Sequence, residues 1–516
     1  MCRLSHLKVG SLYMADSEIN FDWNEPILYT DKEVSMGEPF SIDTLERGKY
    51  AKFLHYYLVD NSSKNGYVLN LNAQWGAGKT YFIKRWMYSI KKKHPVVYVD
   101  AWKQDYSDDP MLTVVSSIIS ALEIHLPDGN KEAIAIKNKA TRFFKAAAPL
   151  LAKGLIKKAT GMNVDEIEPK DEEESKGTDL YNLSSEAGAA LAKCLVDDHN
   201  EKLKTVKYLR DDIKSLIGAI DPKKNLDTPA FIFIDELDRC RPSYAVEMLE
   251  VIKHFFELEN IVFIVATDTE QLQHAVKAVY GEGFDAQTYL GRFFRRRYSL
   301  PISKSRYEFV KNLIGEDYQL KGNWVRYTPA ITVQGNLWNL VSIVAGSFDL
   351  SLRDTEQLAD KFLAVLSSST QTMNPYLLLI LFALQDRHYS VYESWLAHES
   401  DTKNKGFMNL QEKIEESKLS HIYIPFHLSD NGAFAAITGD GTFSLGLLAF
   451  LDYMNKSCIR KSQKDKTSMQ HSLIQQLKHD DSEADNIIKL RQEFLKLEAT
   501  KAQYIQWVEY AVSFDN

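Results

Sequence analysis

The chain of 516 residues contains few cysteines and no long apolar run. Its four cysteines are scattered and form no C-x-x-C pair, so neither a disulfide framework nor a cysteine-based zinc site is predicted. That usage is typical of a reducing compartment, and we expect a cytoplasmic protein. No apolar stretch reaches the ~18 residues of a spanning helix, and the N-terminus lacks the apolar core of a signal peptide, so contact with a membrane is not expected.

Basic residues do not predominate either. The formal net charge is −8 and the sequence pI is about 6.0. This balance disfavours binding of nucleic acid by the whole surface, although a local basic patch could still bind it. What the chain does contain is enough apolar material for a large core, since 45% of its residues are hydrophobic and 11% are aromatic.

Strand patterns alternate with helical patterns in two parts of the chain. The short apolar runs YVLNLNA (67–73) and PVVYVDAW (95–102) are each followed by a helical pattern. The alternation resumes at AFIFIDELDRC from Ala230 and NIVFIVATDTEQL from Asn260, and RRRYSLP is a candidate last strand. Strands that alternate with helices predict an α/β fold with a parallel sheet.

A phosphate-binding loop is indicated after the first strand, in AQWGAGKT (73–80). A glycine turn at a helix N-terminus offers backbone N–H groups to phosphates, the lysine reaches the β- and γ-phosphates, and the next hydroxyl binds Mg²⁺. Ala73 replaces the first glycine of the usual pattern, which matters only if the backbone there needs a positive φ. The predicted nucleotide-binding residues are Gln74, Trp75, Gly76, Ala77, Gly78, Lys79, Thr80 and Tyr81.

An apolar strand that ends in two acids, FIFIDE (231–236), supplies the second half of a nucleotide site. Asp235 is predicted to bind Mg²⁺ with Thr80, and Glu236 to orient and deprotonate the attacking water. In isolation this pattern would favour a buried strand followed by a solvated acidic turn. Downstream of a phosphate loop it predicts hydrolysis of a nucleoside triphosphate, with Lys79 and Glu236 as catalytic residues.

Four stretches resemble the KAP-type P-loop NTPases, relatives of the AAA+ and signal-transduction ATPases: WGAGKT, VYVDAWKQD, FIDELDRCRP and FIVATD. Trp75 within the loop and LDRC after the acids are more specific than either Walker motif alone. Glu236 stands where this family often has a second aspartate. The resemblance, over about residues 41–360, implies ATP and Mg²⁺ as ligands. It also implies a role in bacterial anti-phage defence, with a partner effector protein encoded nearby.

The resemblance implies further roles, each with a simpler alternative. Asp268, or else Thr267, occupies a position that could sense the γ-phosphate, whereas Asp268 equally fits a helix cap. Arg353 resembles the second sensor arginine of a helical lid, or is an ordinary helix arginine. Arg292 and Arg295 lie where an arginine can complete a neighbour's active site in a homo-oligomer. The alternative for these two is a basic surface.

Two regions have simpler interpretations. Asp238 and Arg239, which follow the two acids, are interpreted as structural residues that pair with each other or with the backbone. Between the two halves of the core, the acidic run Asp165 to Lys176 is expected to be a mobile loop. The basic, apolar helix at 142–162 is too short to span a membrane, and an interfacial helix is its alternative.

The predicted fold class is α/β: a P-loop NTPase core with a parallel sheet, an inserted helical subdomain and a mainly helical C-terminal region. The predicted function is a Mg²⁺-dependent ATPase that acts as a molecular switch or motor. The alternatives are a nucleotide-binding assembly scaffold with little turnover and a membrane-associated signalling NTPase. The predicted segments are a polar N-terminal segment 1–40, core 41–127, helical insert 128–228, core 229–303, helical lid 304–400 and a C-terminal region of unknown role 401–516.

Overall fold

The chain divides into two compact units, Met1–Pro301 and Ile302–Asn516. Of the predicted insert, the structure describes only a short helical stretch near its end, so the acidic loop and the helix at 142–162 lie outside the described residues. The computed structural model describes residues 19–27, 40–62, 66–106, 110–126, 210–211, 213–220, 226–255, 258–301, 306–315, 327, 337–369, 371–398, 405–428, 434–435, 443–458 and 483–513.

A five-stranded parallel sheet forms the centre of the first unit. Its strands are β1 (Tyr67–Asn72), β2 (Val96–Asp100), β3 (Ala230–Asp235), β4 (Ile261–Thr267) and β5 (Arg296–Ser299). Their order across the sheet is β2-β3-β4-β1-β5, and every neighbouring pair is parallel. The α/β fold with a parallel sheet is therefore confirmed, and the carboxyl ends of all five strands meet at one edge.

Helices cover both faces of this sheet. They are α1 (Gly48–Ser62), α2 (Lys79–Ile90), α3 (Ala101–Gln104), α4 (Pro110–Glu123), α5 (Pro242–Phe255), α6 (Thr269–Tyr280) and α7 (Ala286–Leu290). Strand β3 shows the alternation that this arrangement needs. Phe233 packs on Trp86 of α2, with ring centroids 5.4 Å apart. The intervening Ile232 and Ile234 join the apolar cluster of the opposite face.

Part of the N-terminal segment, which is polar in composition, is buried against the core. Trp23 is buried, and its ring meets Phe82 of α2 edge-on at 5.7 Å. The Arg85 guanidinium donates to the Trp23 carbonyl at 2.7 Å. This part of the segment is therefore packed against the core helix that follows the phosphate loop.

The second unit is mainly helical, as predicted. Its helices are α8 (Arg306–Ile314), α9 (Leu337–Ser347), α10 (Leu352–Ser368), α11 (Pro375–Arg387), α12 (Tyr389–Ala397), α13 (Lys405–Glu416), α14 (Leu447–Cys458), α15 (Glu483–Phe494) and α16 (Lys501–Val512). Helix α11 is buried from Pro375 to Leu384, so it is enclosed by the others. Among the described helices, none combines the length and the hydropathy needed to cross a bilayer.

A small antiparallel sheet in the second unit is not predicted by the sequence pattern. Its strands are β6 (Tyr423–Leu428), β7 (Phe434–Ala435) and β8 (Phe443–Gly446), in the order β7-β6-β8. Phe426 of β6 packs on Phe450 of α14, with ring centroids 6.2 Å apart. The sheet therefore lies within the apolar core of this unit.

Candidate nucleotide-binding site

The predicted phosphate loop connects the end of β1 to the start of α2. Gly76 and Gly78 have φ of 75° and 78°, the left-handed region that only glycine adopts without strain. Gly78 is the N-cap of α2 and has no side chain to bond the first N–H groups of the helix. A helix N-terminus with its N–H groups available is a binding site for anions such as phosphate.

Ala73, which replaces the usual first glycine, fits the loop without strain. The described non-glycine residues with a positive φ are Glu46, Glu236, Asn260, Asp349 and Lys418, so Ala73 has an ordinary backbone conformation. It is buried, and its N–H donates to the Thr267 carbonyl of β4 at 3.2 Å. The substitution therefore leaves the course of the loop intact.

The Lys79 side chain lies across the loop. Its Nζ donates to the carbonyls of Ala73 at 2.8 Å and Gln74 at 3.3 Å, and lies 3.9 Å from Oδ2 of Asp238. Gln74 is exposed. At the other end of the loop, the Tyr81 hydroxyl donates to the Ser41 carbonyl at 2.9 Å.

Thr80 joins the two halves of the site. Its Oγ1 donates to Oδ2 of Asp235 at 2.8 Å and contacts Oε1 of Glu236 at 3.3 Å. The Tyr98 hydroxyl of β2 donates to the same Asp235 oxygen at 3.2 Å. Mg²⁺ prefers oxygen ligands, and in a nucleotide site the protein supplies only a few of them. The Thr80 hydroxyl beside the Asp235 carboxylate fits this requirement.

The pKa values of Asp235 and Glu236 are both raised. Burial at the end of β3 raises the pKa of Asp235, against the hydrogen bonds that it accepts. Burial and then the charge of Asp235 raise the pKa of Glu236, whereas the Arg239 cation lowers it. A carboxylate whose pKa is raised is a stronger proton acceptor, which suits the predicted role of Glu236 as general base.

Asp238 and Arg239 have side-chain partners other than those predicted. Asp238 accepts a hydrogen bond from the Trp75 indole, in addition to its ion pair with Lys79. Arg239 forms an ion pair with Glu236, and its guanidinium lies 5.4 Å from the centroid of the Trp102 ring. The interpretation that these two residues pair with each other or with the backbone was therefore wrong, because their side chains contact Lys79 and Glu236.

A third contact links the same stretches. Arg241 donates through Nε to Oδ1 of Asp105 at 2.9 Å, and through its guanidinium to the Asp105 carbonyl at 2.6 Å. Asp105 follows α3, which leaves the end of β2. The stretches WGAGKT, VYVDAWKQD and FIDELDRCRP are therefore connected by side chains, because β1, β2 and β3 all end at this edge of the sheet.

Thr267 ends β4, and Asp268 follows it directly. Asp268 caps α6, since its side chain accepts from the N–H groups of Glu270 and Gln271. Thr267 Oγ1 accepts from Nδ2 of Asn70 at 2.9 Å. Asn70 is fully buried within β1, and sequence reasoning missed it, although an amide in the middle of a mostly apolar strand was the available sign. A role for Asp268 or Thr267 in sensing the γ-phosphate stays a prediction.

Arg292 and Arg295 lie between α7 and β5, and both are exposed. The Arg295 N–H donates to the Val68 carbonyl at 3.0 Å, and its guanidinium lies 4.9 Å from the centroid of the Tyr67 ring. Tyr67 begins β1, whereas the phosphate loop follows the other end of that strand, about 16 Å away at 3.3 Å per residue. Arg295 is therefore directed away from the loop of its own chain.

Arg353 belongs to the second unit. It is exposed in the first turn of α10, two residues after the N-cap residue Ser351. Ser351 and Asp354 form a capping box at this helix end. The role of Arg353 as a second sensor stays a prediction.

Comparison with known proteins places this geometry in a family. Residues 47–314, just over half of the chain, match the KAP family P-loop domain. The chain belongs to the KAP family of P-loop NTPases. Binding and hydrolysis of a nucleoside triphosphate follow from that membership, and the resemblance of the four sequence stretches is confirmed.

Two further comparisons complete this result. No curated protein matches the chain. Among solved structures, the chain is similar to the Aeropyrum pernix ORC2 protein in its ADPNP-ADP complexes, at 12% identity over 95% of this chain and 99% of that one, with a TM-score of 0.28.

Proposed function

We propose that the protein is a Mg²⁺-dependent ATP hydrolase that acts as a molecular switch or motor. The observation that carries this proposal is the position of the Thr80 hydroxyl, 2.8 Å from a carboxylate oxygen of Asp235 and 3.3 Å from one of Glu236. The candidate Mg²⁺ ligands Thr80 and Asp235 and the candidate general base Glu236 therefore lie together at the same end of the phosphate loop.

The residues divide the chemistry among them. The N–H groups of the loop and of the α2 N-terminus bind phosphate oxygens, and Lys79 supplies a cation to the β- and γ-phosphates. Thr80 and Asp235 would hold Mg²⁺, which neutralises phosphate charge when bound. Glu236 orients a water molecule and accepts its proton as the water attacks the γ-phosphorus. A new bond forms between the water oxygen and the γ-phosphorus, the bond from that phosphorus to the β–γ bridging oxygen breaks, and the products are ADP and inorganic phosphate.

Two variants test hydrolysis separately from binding. Glu236→Gln should bind ATP with affinity similar to that of the wild type but turn it over at least 10²-fold more slowly, because water activation is lost. Lys79→Ala should weaken binding itself. The measurements are ATP affinity by fluorescence titration and phosphate release. If the wild type binds ATP but releases phosphate no faster than Glu236→Gln, in the presence of any partner, hydrolysis is excluded.

A nucleotide-binding assembly scaffold with little turnover is the second candidate. The ion pair between Arg239 and Glu236 favours it, because it occupies the candidate base. In that case, ATP would change the oligomeric state or the binding of a partner equally in the wild type and in Glu236→Gln. Analytical ultracentrifugation of both proteins with and without ATP distinguishes the two functions.

For the biological setting we propose anti-phage defence together with an effector encoded beside this gene. The support is the family to which the chain belongs, whose members occur in phage-exclusion systems. Cells that carry this gene and its neighbours should survive phage challenge, and Lys79→Ala should abolish that protection. Equal survival of the wild type and Lys79→Ala would contradict the proposal.

A further inference from the structure

Both oxygens of the Glu236 carboxylate have a polar side chain beside them. Oε1 lies 3.3 Å from the Thr80 hydroxyl, which donates its proton to Asp235, and Oε2 pairs with Nε of Arg239. The two paired side chains are only partly exposed, at 19% for Glu236 and 30% for Arg239, so solvent screens the ion pair less than it screens one on an open surface. A general base needs one oxygen directed at the attacking water, and Arg239 holds the oxygen that does not face the Mg²⁺ ligand Thr80.

Trp102 defines where the Arg239 guanidinium lies. Its ring is 52% exposed, which is unusual for so large an apolar side chain, and the Arg239 cation lies over it at 5.4 Å. Guanidinium groups are attracted to the face of an indole at this distance. The same cation thus contacts an aromatic ring on one side and the Glu236 carboxylate on the other.

The turn that carries Trp102 is fixed at both ends. Asp100 caps α3 by accepting from the Lys103 N–H at 3.0 Å. Beyond the helix, Asp105 is bound by Arg241 through its side chain and its carbonyl. Because α3 is held in this way, Trp102 provides a constant surface for the guanidinium rather than a mobile one.

We propose that Arg239 is a positioning residue that restrains Glu236, and that Trp102 keeps the guanidinium in the restraining position. The inference rests on the proposed hydrolytic function. Water activation requires Oε2 of Glu236 to separate from the guanidinium. The rate of hydrolysis is then limited by how often this ion pair opens.

The test is a double-mutant cycle on steady-state ATP hydrolysis. Arg239→Ala should raise kcat about 5-fold and leave KM unchanged, since a partly buried ion pair of this kind contributes a factor of that order. Trp102→Ala should give a smaller rise. The double variant should match Arg239→Ala alone, because Trp102 acts only through Arg239. Arg239→Lys keeps a cation and should recover most of the restraint.

Matched controls separate the restraint from general effects. Arg387→Ala removes an arginine that is also paired with a carboxylate, Asp354 of the second unit, and should leave kcat unchanged. Adding Glu236→Gln to Arg239→Ala should abolish the gain. ATP affinity should be the same for the wild type, Arg239→Ala and Arg239→Lys, and a cooperative thermal unfolding transition should show that each variant is folded.

The outcomes are distinguishable from failure of the hydrolytic function. If the wild type exceeds Glu236→Gln but Arg239→Ala does not exceed the wild type, the restraint is wrong and hydrolysis stands. Additive effects of Arg239→Ala and Trp102→Ala, or a change in KM alone, also overturn the restraint. If the wild type and Arg239→Ala bind ATP but neither exceeds Glu236→Gln, the hydrolytic function itself is wrong.

Discussion

At the scale of single residues, the position of the phosphate loop was predictable, but not every side chain that surrounds it was. Gly76, Lys79 and Thr80 follow each other in the chain, so a local pattern assigns their roles. The contact of Arg239 with Glu236 is also local, because the two residues are three apart in one turn, whereas its contact with Trp102 joins stretches that follow two different strands, β3 and β2. Trp102 and Arg239 are far apart in sequence, and only the pairing of β2 with β3 brings them together.

Ala73 provides the first prediction at this scale. Its φ is not positive, so the glycine of the usual pattern would gain nothing from its conformational freedom there. Ala73→Gly should lower the free energy of unfolding by about 0.5–1 kcal/mol, because glycine loses more backbone entropy on folding. ATP affinity should change by less than about 2-fold. Urea unfolding and ATP titration of the two proteins measure both quantities.

The opposite result has a clear meaning. If Ala73→Gly binds ATP at least tenfold more tightly, the alanine strains the loop after all. Gly218→Ala is a suitable reference for the backbone effect, since Gly218 is exposed in a described helical turn and a methyl group there meets no atom within 4 Å.

At the scale of elements, the sheet of the core was predictable, whereas that of the second unit was not. Strands β3 and β4 are nearly continuous apolar runs and are buried along their whole length, as expected for strands that are covered on both faces. Strand β6 contains Pro425, which cannot donate to a ladder and argues against a strand. Strand β6 pairs with β8, and the part of the chain that contains β7 separates the two strands. No local sequence pattern predicts that pairing.

Helix α1 carries a buried histidine that makes stability depend on pH. The His55 ring stacks on Phe231 of β3 at 5.4 Å and meets His94 edge-on at 5.0 Å, with Phe21 and Tyr56 also adjacent. Burial and then the charge of His94 lower the pKa of His55 to about 3. The unfolded chain, with a histidine pKa of about 6.5, binds a proton there that the folded chain does not.

Stability should therefore decrease as the pH falls below about 6.5, by about 1.4 kcal/mol per pH unit from this group. Between pH 7 and pH 5 the loss from His55 is about 2 kcal/mol. His55→Phe should remove this part of the pH dependence, whereas replacement of the exposed His421 by Asn should not. Urea unfolding at pH 7 and pH 5 gives the comparison. An equal loss in the wild type and in His55→Phe would show that His55 does not titrate on unfolding.

At the scale of the whole molecule, the strand order decides what the site can be. The order β2-β3-β4-β1-β5 places the ends of β1 and β3 on either side of β4, with β2 beyond β3. The loop lysine and the two acids meet there, and Trp102 and Asp105 lie beside them. An alternating sequence pattern predicts a parallel sheet but does not determine this order. Connectivity across 100 residues or more is set by packing of the complete core.

The same order leaves β5 as an edge strand, with Arg296 and Arg297 exposed. The guanidinium of Arg295 lies over Tyr67, at the end of β1 that is far from its own phosphate loop. An arginine in this place can act in hydrolysis only on another copy of the chain. We therefore expect that ATP hydrolysis requires self-association, with Arg292 or Arg295 supplying a cation to the γ-phosphate of a neighbour.

A mixing experiment tests this prediction. The double variant Arg292→Ala, Arg295→Ala keeps its own loop and acids, and Glu236→Gln keeps its arginines. A guanidinium delivered by a neighbour contributes on the order of 10³-fold in rate, so each variant should be nearly inactive alone. Mixed oligomers should regain part of the activity, since some sites then combine an intact Glu236 with an intact arginine. The pair Arg296→Ala, Arg297→Ala removes the same charge from the same surface and should stay active.

If the double variant Arg292→Ala, Arg295→Ala keeps its activity, and the specific activity of the wild type is independent of protein concentration, the site is complete within one chain. The arginines then form only a basic surface.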